Sequence, residues 1–577
     1  MIIINFTDIQ MAVNTSPSQQ DVYKKQLYYT KHNAINIYAD YEATIGKHYF
    51  KVMGGFNQES SDYELFEGVV YNQSAPEVPS FEGGGGEKTI KDSYSEYTVR
   101  GGFGRLNYVF NGKYLFEVNG RYDGSSKFPK KNRYGFFPSI SFGWHLGKEY
   151  FMSFSENWLD ELKLRMSYGE IGNQNINPYE YTPSMTIGLG TAWLDKGDKV
   201  TVIGTPSLVR NNFTWENVKT FDVGVDYGML NGRLKATFDW YERNTNGILS
   251  TGVDLPSVVG TSAPLQNTAA MRTRGWELGL TWRDMIGDIN YNIGVNIYDH
   301  TSKISQYKDN KAKILSSFYE GQIFNEIWGY VSDGYYTIDD FVSEKAKNNE
   351  WILKDGVTSI QGYIVKPGDE KFVDLDEDGI INSGASTLDD PGDRKVIGNS
   401  TPRFQYGANF GAEYKGLGIN IMLHGIGARD YWLGGNALFP FGGANVSDAV
   451  FQPIYYNQTD YWKPISQDPN NPDYMKTQNP NAKLFRIYDQ GENVGSNTRT
   501  STKYLQNASY LRIKNITLSY SFRKELLQKL KLSQLKMFTS IENLATFSSL
   551  PNGYDPESLS WSYPFYRTVS FGASVTF

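Results

Sequence analysis

Extended segments in which apolar residues alternate with small or polar ones recur along the whole chain, often in pairs joined by a tight turn. Residues 221–227 and 234–240 both show this period of two, with the sequence Met-Leu-Asn-Gly between them. The pattern indicates half-buried strands, and Asn-Gly is typical of a two-residue hairpin turn. The last twelve residues, 566–577, repeat the pattern and end on Phe577. Such strands can close a soluble sandwich around an apolar core, or form a barrel with the apolar face outward.

The connections between these segments alternate in length, and this alternation favours a barrel in a membrane. Counted from Ile2, about sixteen candidate strands have lengths near the ~9 to 11 residues that cross a bilayer when tilted. Short connections follow the segments ending near residues 43, 110, 227, 283 and 414, and long ones follow those ending near residues 56, 121, 168, 243, 298 and 425. Outer-membrane barrels have short periplasmic turns and long extracellular loops. We therefore predict an all-β fold, a transmembrane antiparallel β-barrel in contact with outer-membrane lipid.

Composition agrees with a sheet protein and narrows the classes of partner. The 577 residues include 42 Tyr, 33 Phe and 12 Trp, as in a barrel with aromatic girdles. The 56 basic and 63 acidic residues give a net charge of −7, without the basic excess that a nucleic-acid partner requires. No run of 18 apolar residues predicts a helical span, and the absence of cysteine excludes disulfides and thiolate metal sites within this chain. Residues 1–14 lack the basic region of a secretory signal.

Several long segments resemble the SusC-like and RagA-like TonB-dependent outer-membrane transporters of the Bacteroidetes. They occur in the order found in that family, at residues 120–146, 162–176, 215–234, 267–280, 509–522 and 542–557. The resemblance implies a 22-stranded barrel preceded by a signal peptide, a TonB box and a plug domain. Because sixteen strands are too few, we expect residues 1–577 to be one domain, the carboxy-terminal barrel portion, with the plug and first strands absent. The alternative is a sixteen-stranded barrel that closes by itself.

The resemblance also implies the function and the location. Such transporters import nutrients through the Gram-negative outer membrane, typically an oligosaccharide and sometimes a peptide. They are driven by the TonB complex, here through the missing amino-terminal region, and a SusD-like surface lipoprotein covers the extracellular mouth. Two other functions remain open from the residues: a glycan-binding adhesin without transport, and a passive porin. No catalytic motif or paired histidine spacing occurs among the five histidines, so we expect no enzyme activity.

Two of the predicted long loops, residues 318–341 and 455–474, are rich in aromatic residues beside Asn and Asp. Aromatic faces stack on sugar rings and also suit a protein partner. The candidate ligand or partner residues are Tyr319, Trp328, Tyr330, Tyr335, Tyr336, Tyr461 and Trp462. The alternative is that these aromatics pack loop against loop.

One acidic loop follows the spacing of a calcium site. Its EF-hand-like positions are Asp374 at 1, Asp376 at 3, Asp378 at 5, Gly379 at 6, the Ile380 carbonyl at 7 and Asn382 at 9. Position 12 breaks the pattern because Ala385 replaces the usual Glu. In the transporters that the chain resembles, a similar loop closes with Asp-Arg, which implies Asp393 as the closing ligand. No other cofactor is expected, and the alternative is an acidic turn whose carboxylates accept backbone amides.

The terminal strand is predicted to have one lipid-facing and one lumen-facing set of side chains. The lipid-facing set is Val569, Phe571, Ala573, Val575 and Phe577, and the lumen-facing set is Thr568, Ser570, Gly572, Ser574 and Thr576. By resemblance, Phe577 is also the carboxy-terminal aromatic signal that the outer-membrane assembly machinery reads.

Overall fold

The computed structural model describes residues 2–18, 22–195, 198–210, 212–250, 255–261, 263–434, 438–439, 456–487, 494–529, 531–559 and 565–577. Within these ranges the strands are β1 (Ile2–Ser18), β2 (Val22–Ile45), β3 (His48–Val70), β4 (Lys88–Phe110), β5 (Tyr114–Ser125), β6 (Tyr134–His145), β7 (Leu159–Asn173), β8 (Ile187–Asp195), β9 (Asp198–Ile203), β10 (Glu216–Met229), β11 (Leu234–Ser250), β12 (Gln266–Ile286), β13 (Ile289–Tyr307), β14 (Glu326–Tyr330), β15 (Ser332–Tyr335), β16 (Ser359–Ile360), β17 (Glu370–Phe372), β18 (Ile380–Ile381), β19 (Arg394–Asn399), β20 (Arg403–Tyr414), β21 (Leu417–Ala428), β22 (Asp430–Trp432), β23 (Leu505–Asn507), β24 (Tyr510–Ser521), β25 (Gln534–Ser548) and β26 (Thr568–Thr576). Short α-helices are Ser343–Lys347, Val494–Asn497 and Lys524–Lys529.

Sixteen of the described strands form one sheet in the order β1–β7, β10–β13, β20, β21 and β24–β26. Neighbours in this order are neighbours in the chain once the small strands β8, β9, β14–β19, β22 and β23 are set aside, as in a meander of hairpins. No helix in the described part of the chain is long and apolar enough to cross a membrane. The all-β prediction is confirmed.

Tight turns follow the predicted hairpins because residues with positive φ occur where the chain reverses. Asn231 and Gly232, between β10 and β11, have φ of 57° and 75°, and Gly416, between β20 and β21, has φ of 90°. Left-handed conformations of this kind match the twist of antiparallel strands, and glycine and asparagine adopt them with little strain.

Several strands are much longer than the predicted membrane-crossing length. β2 has 24 residues, and β3 and β4 have 23 each. The alternation of side chains marks only the part of a strand where one face must be apolar, whereas pairing beyond that part depends on backbone hydrogen bonds that any residue can make. The loop expected after residue 56 therefore begins after Val70.

The chain divides into two compact units, the first made of Met1–Tyr227, Asp239–Arg274 and Ser305–Asp309, and the second of Gly228–Phe238, Gly275–Ile304 and Asn310–Phe577. In the first unit, the register aligns Tyr108, Phe116, Phe142 and Met166 across β4–β7. The adjacent register positions, on the other face, align Asn107, Glu117, Ser141 and Ser167.

In the second unit the same separation of faces extends over six strands. One cross-strand row is Ile293, Phe410, Ile421, Ile516, Ile541 and Val569, and the adjacent row on the other face is Asn292, Gly411, Asn420, Thr517, Ser540 and Ser570. The terminal strand continues both rows, since Val569 joins the apolar row and Ser570 the polar one; which set faces lipid and which faces the lumen stays a prediction. Phe577 follows β26 and is exposed; its role as an assembly signal stays a prediction.

On the polar face of the first unit, Arg165 forms an ion-pair network with two aspartates. The network fits there because the neighbouring residue, Gly224, has no side chain. The Arg165 guanidinium on β7 donates to Asp226 at 2.9 Å and to Asp239 at 3.0 Å. A Cβ atom at Gly224 would lie 2.1 Å from an Asp239 carboxylate oxygen and 2.7 Å from an Arg165 nitrogen. A larger residue at this position would therefore displace the bridge.

Candidate functional site

The described parts of the two longest connections of the second unit, residues 310–402, 429–434, 438–439, 456–487 and 494–509, fold into a lobe with small sheets of its own. Its strand pairs are β14 with β19, β15 with β17, β16 with β18, and β22 with β23. A main-chain link joins the two connections, because the Tyr330 amide donates to the Thr500 carbonyl at 2.8 Å. The loops that the sequence predicts as a ligand surface are thus ordered into a packed body. Residue 455, at the start of the second aromatic-rich segment, lies outside the described residues.

Four of the seven candidate aromatic residues lie in the interior of this lobe. They are Tyr319, Tyr330, Tyr336 and Trp462, whose exposed fractions are 3 %, 7 %, 0 % and 2 %. The Tyr336 hydroxyl donates to the Thr358 carbonyl at 2.6 Å, so its polar end is satisfied within the lobe. For these four residues the arrangement is that of loop packing rather than an open binding surface.

The other three candidates, Trp328, Tyr335 and Tyr461, are partly buried. The Trp328 indole donates to Glu326 at 2.8 Å. The Tyr335 hydroxyl donates to the Ala482 carbonyl at 3.1 Å, and its ring lies 4.1 Å from the Lys503 ammonium. Each of them keeps some exposed surface with which it could contact a ligand or a partner.

A buried polar network connects the two halves of the lobe. The Glu370 amide donates to Asn497 Oδ1 at 2.7 Å, and the Ser501 hydroxyl donates to the Glu370 carboxylate at 2.8 Å. Burial raises the pKa of Glu370 to about 8, because a charged carboxylate is poorly solvated there. The sequence analysis missed this group, since nothing local in Pro-Gly-Asp-Glu-Lys-Phe marks the glutamate as buried.

The acidic loop brings together three of the six predicted calcium ligands. Carboxylate oxygens of Asp374, Asp376 and Asp393 all lie within 4.8 Å of one another. The approach of residues far apart in the predicted loop supports Asp393 as its closing member. Burial, together with the negative charges of neighbouring aspartates, raises the pKa of Asp376. A divalent cation at this point would neutralise those charges.

The same carboxylates also accept backbone amides, as the alternative of an acidic turn predicts. Asp374 accepts from the amides of Glu377 and Gly379 at 2.7 and 2.8 Å. Asp393 is fully buried and accepts from the amides of Leu375 and Asn382, both at 2.8 Å.

The remaining predicted ligands make local contacts. The Asp378 carboxylate accepts from the Ile380 amide at 2.8 Å, while the Asn382 side-chain amide donates to the Ile380 carbonyl at 3.0 Å. The donor set is one that calcium prefers, all oxygen, and each carboxylate oxygen keeps a second lone pair for a cation. The residues therefore fit the ion, with Asp374, Asp376 and Asp393 as the group that could hold it.

A cavity of about 820 Å³ lies in the second unit and has a mixed polar and aromatic lining. Polar groups that line it include Asn296, Gln405, Asn409, His424, Tyr510 and Glu557. Glu557, in the connection between β25 and β26, is fixed by the buried Arg512 guanidinium, which also donates to Asp555 at 2.5 Å. Sequence analysis did not identify this cluster.

Comparison with known proteins places this geometry in a family. The model of the TonB-dependent receptor-like β-barrel family matches residues 4–544. The chain belongs to the TonB-dependent receptor β-barrel family. The resemblance drawn from residues 120–146 and the later segments is thereby confirmed. TonB-dependent receptors are outer-membrane proteins of Gram-negative bacteria, and the family is one of receptors and transporters rather than enzymes.

Curated relatives align with nearly the whole of this chain at moderate sequence identity. TonB-dependent receptor P3 of Formosa agariphila is 27 % identical over 94 % of this chain and 52 % of its own length. TonB-dependent receptor SusC of Bacteroides thetaiotaomicron is 27 % identical over 94 % of this chain and 50 % of its own length. The chain thus spans about half the length of the curated relatives it matches.

A solved structure shows the same fold. The structure of the RagAB peptide transporter superposes with a TM-score of 0.73 at 20 % identity, covering 96 % of this receptor chain and 56 % of the other. The transmembrane β-barrel class predicted from hairpin alternation is therefore confirmed.

Proposed function

We propose that this receptor forms part of an outer-membrane importer that takes up an oligosaccharide or a peptide with energy from the TonB complex. A SusD-like surface lipoprotein would bind the long-loop side, and the substrate would pass from it toward the barrel. The observation that carries the proposal is the lobe formed by the described residues within 310–402 and 429–509. An ordered body with its own hydrophobic cores is a more suitable platform for a partner and a ligand than mobile loops would be.

The names of similar proteins support the proposal without identifying the substrate. One relative is named SusC, and one structural neighbour is described as a peptide transporter. The cavity lined by Asn296, Gln405, Asn409 and Tyr510 offers amide and hydroxyl groups that could bond to sugar hydroxyls or peptide groups alike. Partly exposed Trp328, Tyr335 and Tyr461 add aromatic surface.

Uptake measured with and without TonB tests this function. The gene is deleted and restored in its own host, and cells are supplied with labelled oligosaccharides and peptides. We expect uptake of one of these classes to fall, when TonB is removed, to the level of the gene-deletion strain. Uptake that persists without TonB would indicate a passive porin, and surface binding without uptake in either strain would indicate an adhesin. Recovery of a lipoprotein with the purified receptor checks the proposed partner.

We also propose that the acidic loop binds calcium weakly, through Asp374, Asp376 and Asp393. The gathered carboxylates support the proposal, and the absence of a glutamate at the twelfth position explains why the site would be weak. A bound ion would hold the segment around residue 375 against the segment around residue 393. The ion would have a structural role there.

Calorimetric titration of calcium into the intact receptor tests this site. Asp376→Asn should abolish the heat of binding, because it removes one of the three gathered carboxylates. The local fold should tolerate the change, since the Asp376 side chain accepts a 3.3 Å hydrogen bond from the Asp378 amide that the asparagine oxygen can also accept. Asp389→Asn, a change in the same loop but outside the cluster, is the matched control and should bind like the unchanged receptor. An unchanged receptor that gives no heat at millimolar calcium would contradict the proposal.

A further inference from the structure

The connection between β6 and β7, residues 146–158, presents large apolar rings to its surroundings. Three of its aromatic side chains are mostly exposed: Tyr150 at 91 %, Phe151 at 60 % and Phe154 at 71 %. The other side of this short segment packs inward, because Ser155 is buried and its hydroxyl donates to the Met152 carbonyl at 2.7 Å. Exposed aromatic clusters of this kind usually mark a contact surface.

The position of this connection in the sheet identifies the side of the membrane. β2–β7 are consecutive antiparallel neighbours, so residues 46–47, 111–113 and 146–158 fall at one edge. Residues 71–87 and 126–133 fall at the opposite edge. The first edge carries the tight turns, which face the periplasm in outer-membrane barrels. The three exposed rings therefore belong to the periplasmic side.

Glu149 holds the start of the aromatic segment beside one face of the sheet. Its carboxylate accepts from the Tyr114 hydroxyl at 2.7 Å, the Trp144 indole at 3.1 Å and the Lys113 ammonium at 3.0 Å. Tyr114 and Trp144 are paired across β5 and β6, in the register of the apolar face that includes Phe142. The chain thus enters the aromatic segment on the lipid-facing side of the edge.

A row of rings already runs along this edge and leads to the segment. Ring centroids lie 4.9 Å apart for His48 and Phe110, 6.3 Å for Phe110 and Tyr114, and 6.4 Å for Tyr114 and Trp144. Aromatic rows at the end of an apolar strand face lie at the boundary between acyl chains and headgroups. The exposed rings follow Trp144 by only a few residues and extend this row beyond the strands.

We propose that Tyr150, Phe151 and Phe154 form an interfacial anchor that inserts into the periplasmic phospholipid leaflet beside the barrel. The partner is the headgroup and upper acyl region of phospholipids, which accommodates an apolar ring together with a polar tip such as the tyrosine hydroxyl. The inference rests on the proposed outer-membrane function. It adds a lipid contact outside the strands, at a connection that the sequence pattern left undescribed.

Spin labels can measure the depth of this segment, because the 577 residues contain no cysteine. The product of the complete gene, with any cysteine elsewhere changed to serine, is reconstituted in phosphatidylethanolamine and phosphatidylglycerol vesicles. Single thiols are introduced as Phe151→Cys or Phe154→Cys and labelled with a nitroxide. Phe142→Cys on β6 serves as the lipid reference, and Glu156→Cys, exposed in the same connection, as the matched aqueous control. Band shifts on unheated gels confirm that each variant is folded.

We expect labels at 151 and 154 to collide more with oxygen than with a water-soluble nickel chelate, as at 142, and the label at 156 to show the reverse. A label at 142 in lipid with labels at 151 and 154 in water would overturn the anchor and leave the proposed location intact. Labels immobilised and shielded from both reagents at 151 and 154 would indicate a protein partner, and would also overturn it. A label at 142 in water would instead contradict the membrane location itself.

Discussion

Replacing Arg512 with alanine should destabilise the receptor by about 3 kcal/mol, because two carboxylates would lose their buried cation. Arg512 is 1 % exposed and pairs with Asp555 and Glu557, whose side chains are 22 % and 29 % exposed. Water can partly solvate these carboxylates after the change, so we expect the lower end of the range found for broken buried pairs. The guanidinium also donates to Thr546 at 2.9 Å and thereby links β24 to β25.

Unfolding of the reconstituted receptor in urea, followed by far-UV circular dichroism, measures this loss. Arg523→Ala, an exposed arginine just beyond β24, is the control and should change the free energy of unfolding by at most about 0.5 kcal/mol. Arg512→Lys should recover only part of the stability, since an ammonium cannot form the planar fork that holds two carboxylates. Equal stability of the Arg512→Ala and Arg523→Ala variants would contradict the role of the ion pairs.

Replacing Trp462 with alanine should destabilise the lobe by about 3 to 5 kcal/mol, through the lost burial and the cavity left behind. Trp462 is 2 % exposed and packs with Met475 and Ala482 in a core of its own. Its indole lies directly over Gly368, where a Cβ atom would be 2.5 Å from the ring and where φ is +94°. Such close packing leaves little room for the surroundings to relax into the cavity.

Hydrogen exchange of residues 456–487, compared between the variant and the unchanged receptor, follows the lobe without requiring global unfolding. Faster exchange is expected throughout the core around Met475 in Trp462→Ala. Tyr456→Ala is the control, because Tyr456 is 92 % exposed, and its exchange should be unchanged. If Trp462→Ala instead lost ligand or lipoprotein binding while exchange stayed the same, the residue would belong to a binding surface.

The main sheet could be predicted from the sequence because each strand shows its own alternation of apolar and polar residues. The alternation through residues 289–297 and 404–414 is enough to separate the two faces, and the register pairs like with like, Ile293 with Phe410 and Asn292 with Gly411. Strand length was not predictable in the same way. Beyond the apolar band, β3 continues through Gln58, Glu59 and Ser60, which pair with β4. This pairing uses main-chain groups and leaves no alternation of apolar and polar side chains from which it could be predicted.

In the candidate site, too, contacts between residues close in sequence could be predicted, whereas contacts between distant residues could not. Asp374 and Asp376 are two residues apart, so local spacing predicted their approach, and the resemblance supplied Asp393. Glu370 and Ser501 meet across 131 positions of the chain, and Arg512 meets Glu557 across 45. No periodicity or motif links such distant residues. The aromatic content of residues 318–341 likewise suggested a ligand or partner surface. It could not show that Trp328 is partly exposed while Tyr336 is fully buried.

The unusual length of β3 determines how far the connection between β3 and β4 lies from the membrane. A strand of 23 residues extends about 76 Å at the usual ~3.3 Å per residue, and a tilt of ~40° reduces its height to about 58 Å. The apolar band of an outer-membrane barrel takes up only ~25 Å of that height. In the proposed outer-membrane orientation, the remainder would place residues 71–87 roughly 30 Å beyond the hydrocarbon layer, by the same estimate. In that orientation, the paired strands β3 and β4 would hold the connection at residues 71–87 where large molecules in the outer solution meet it before they arrive at the lipid surface.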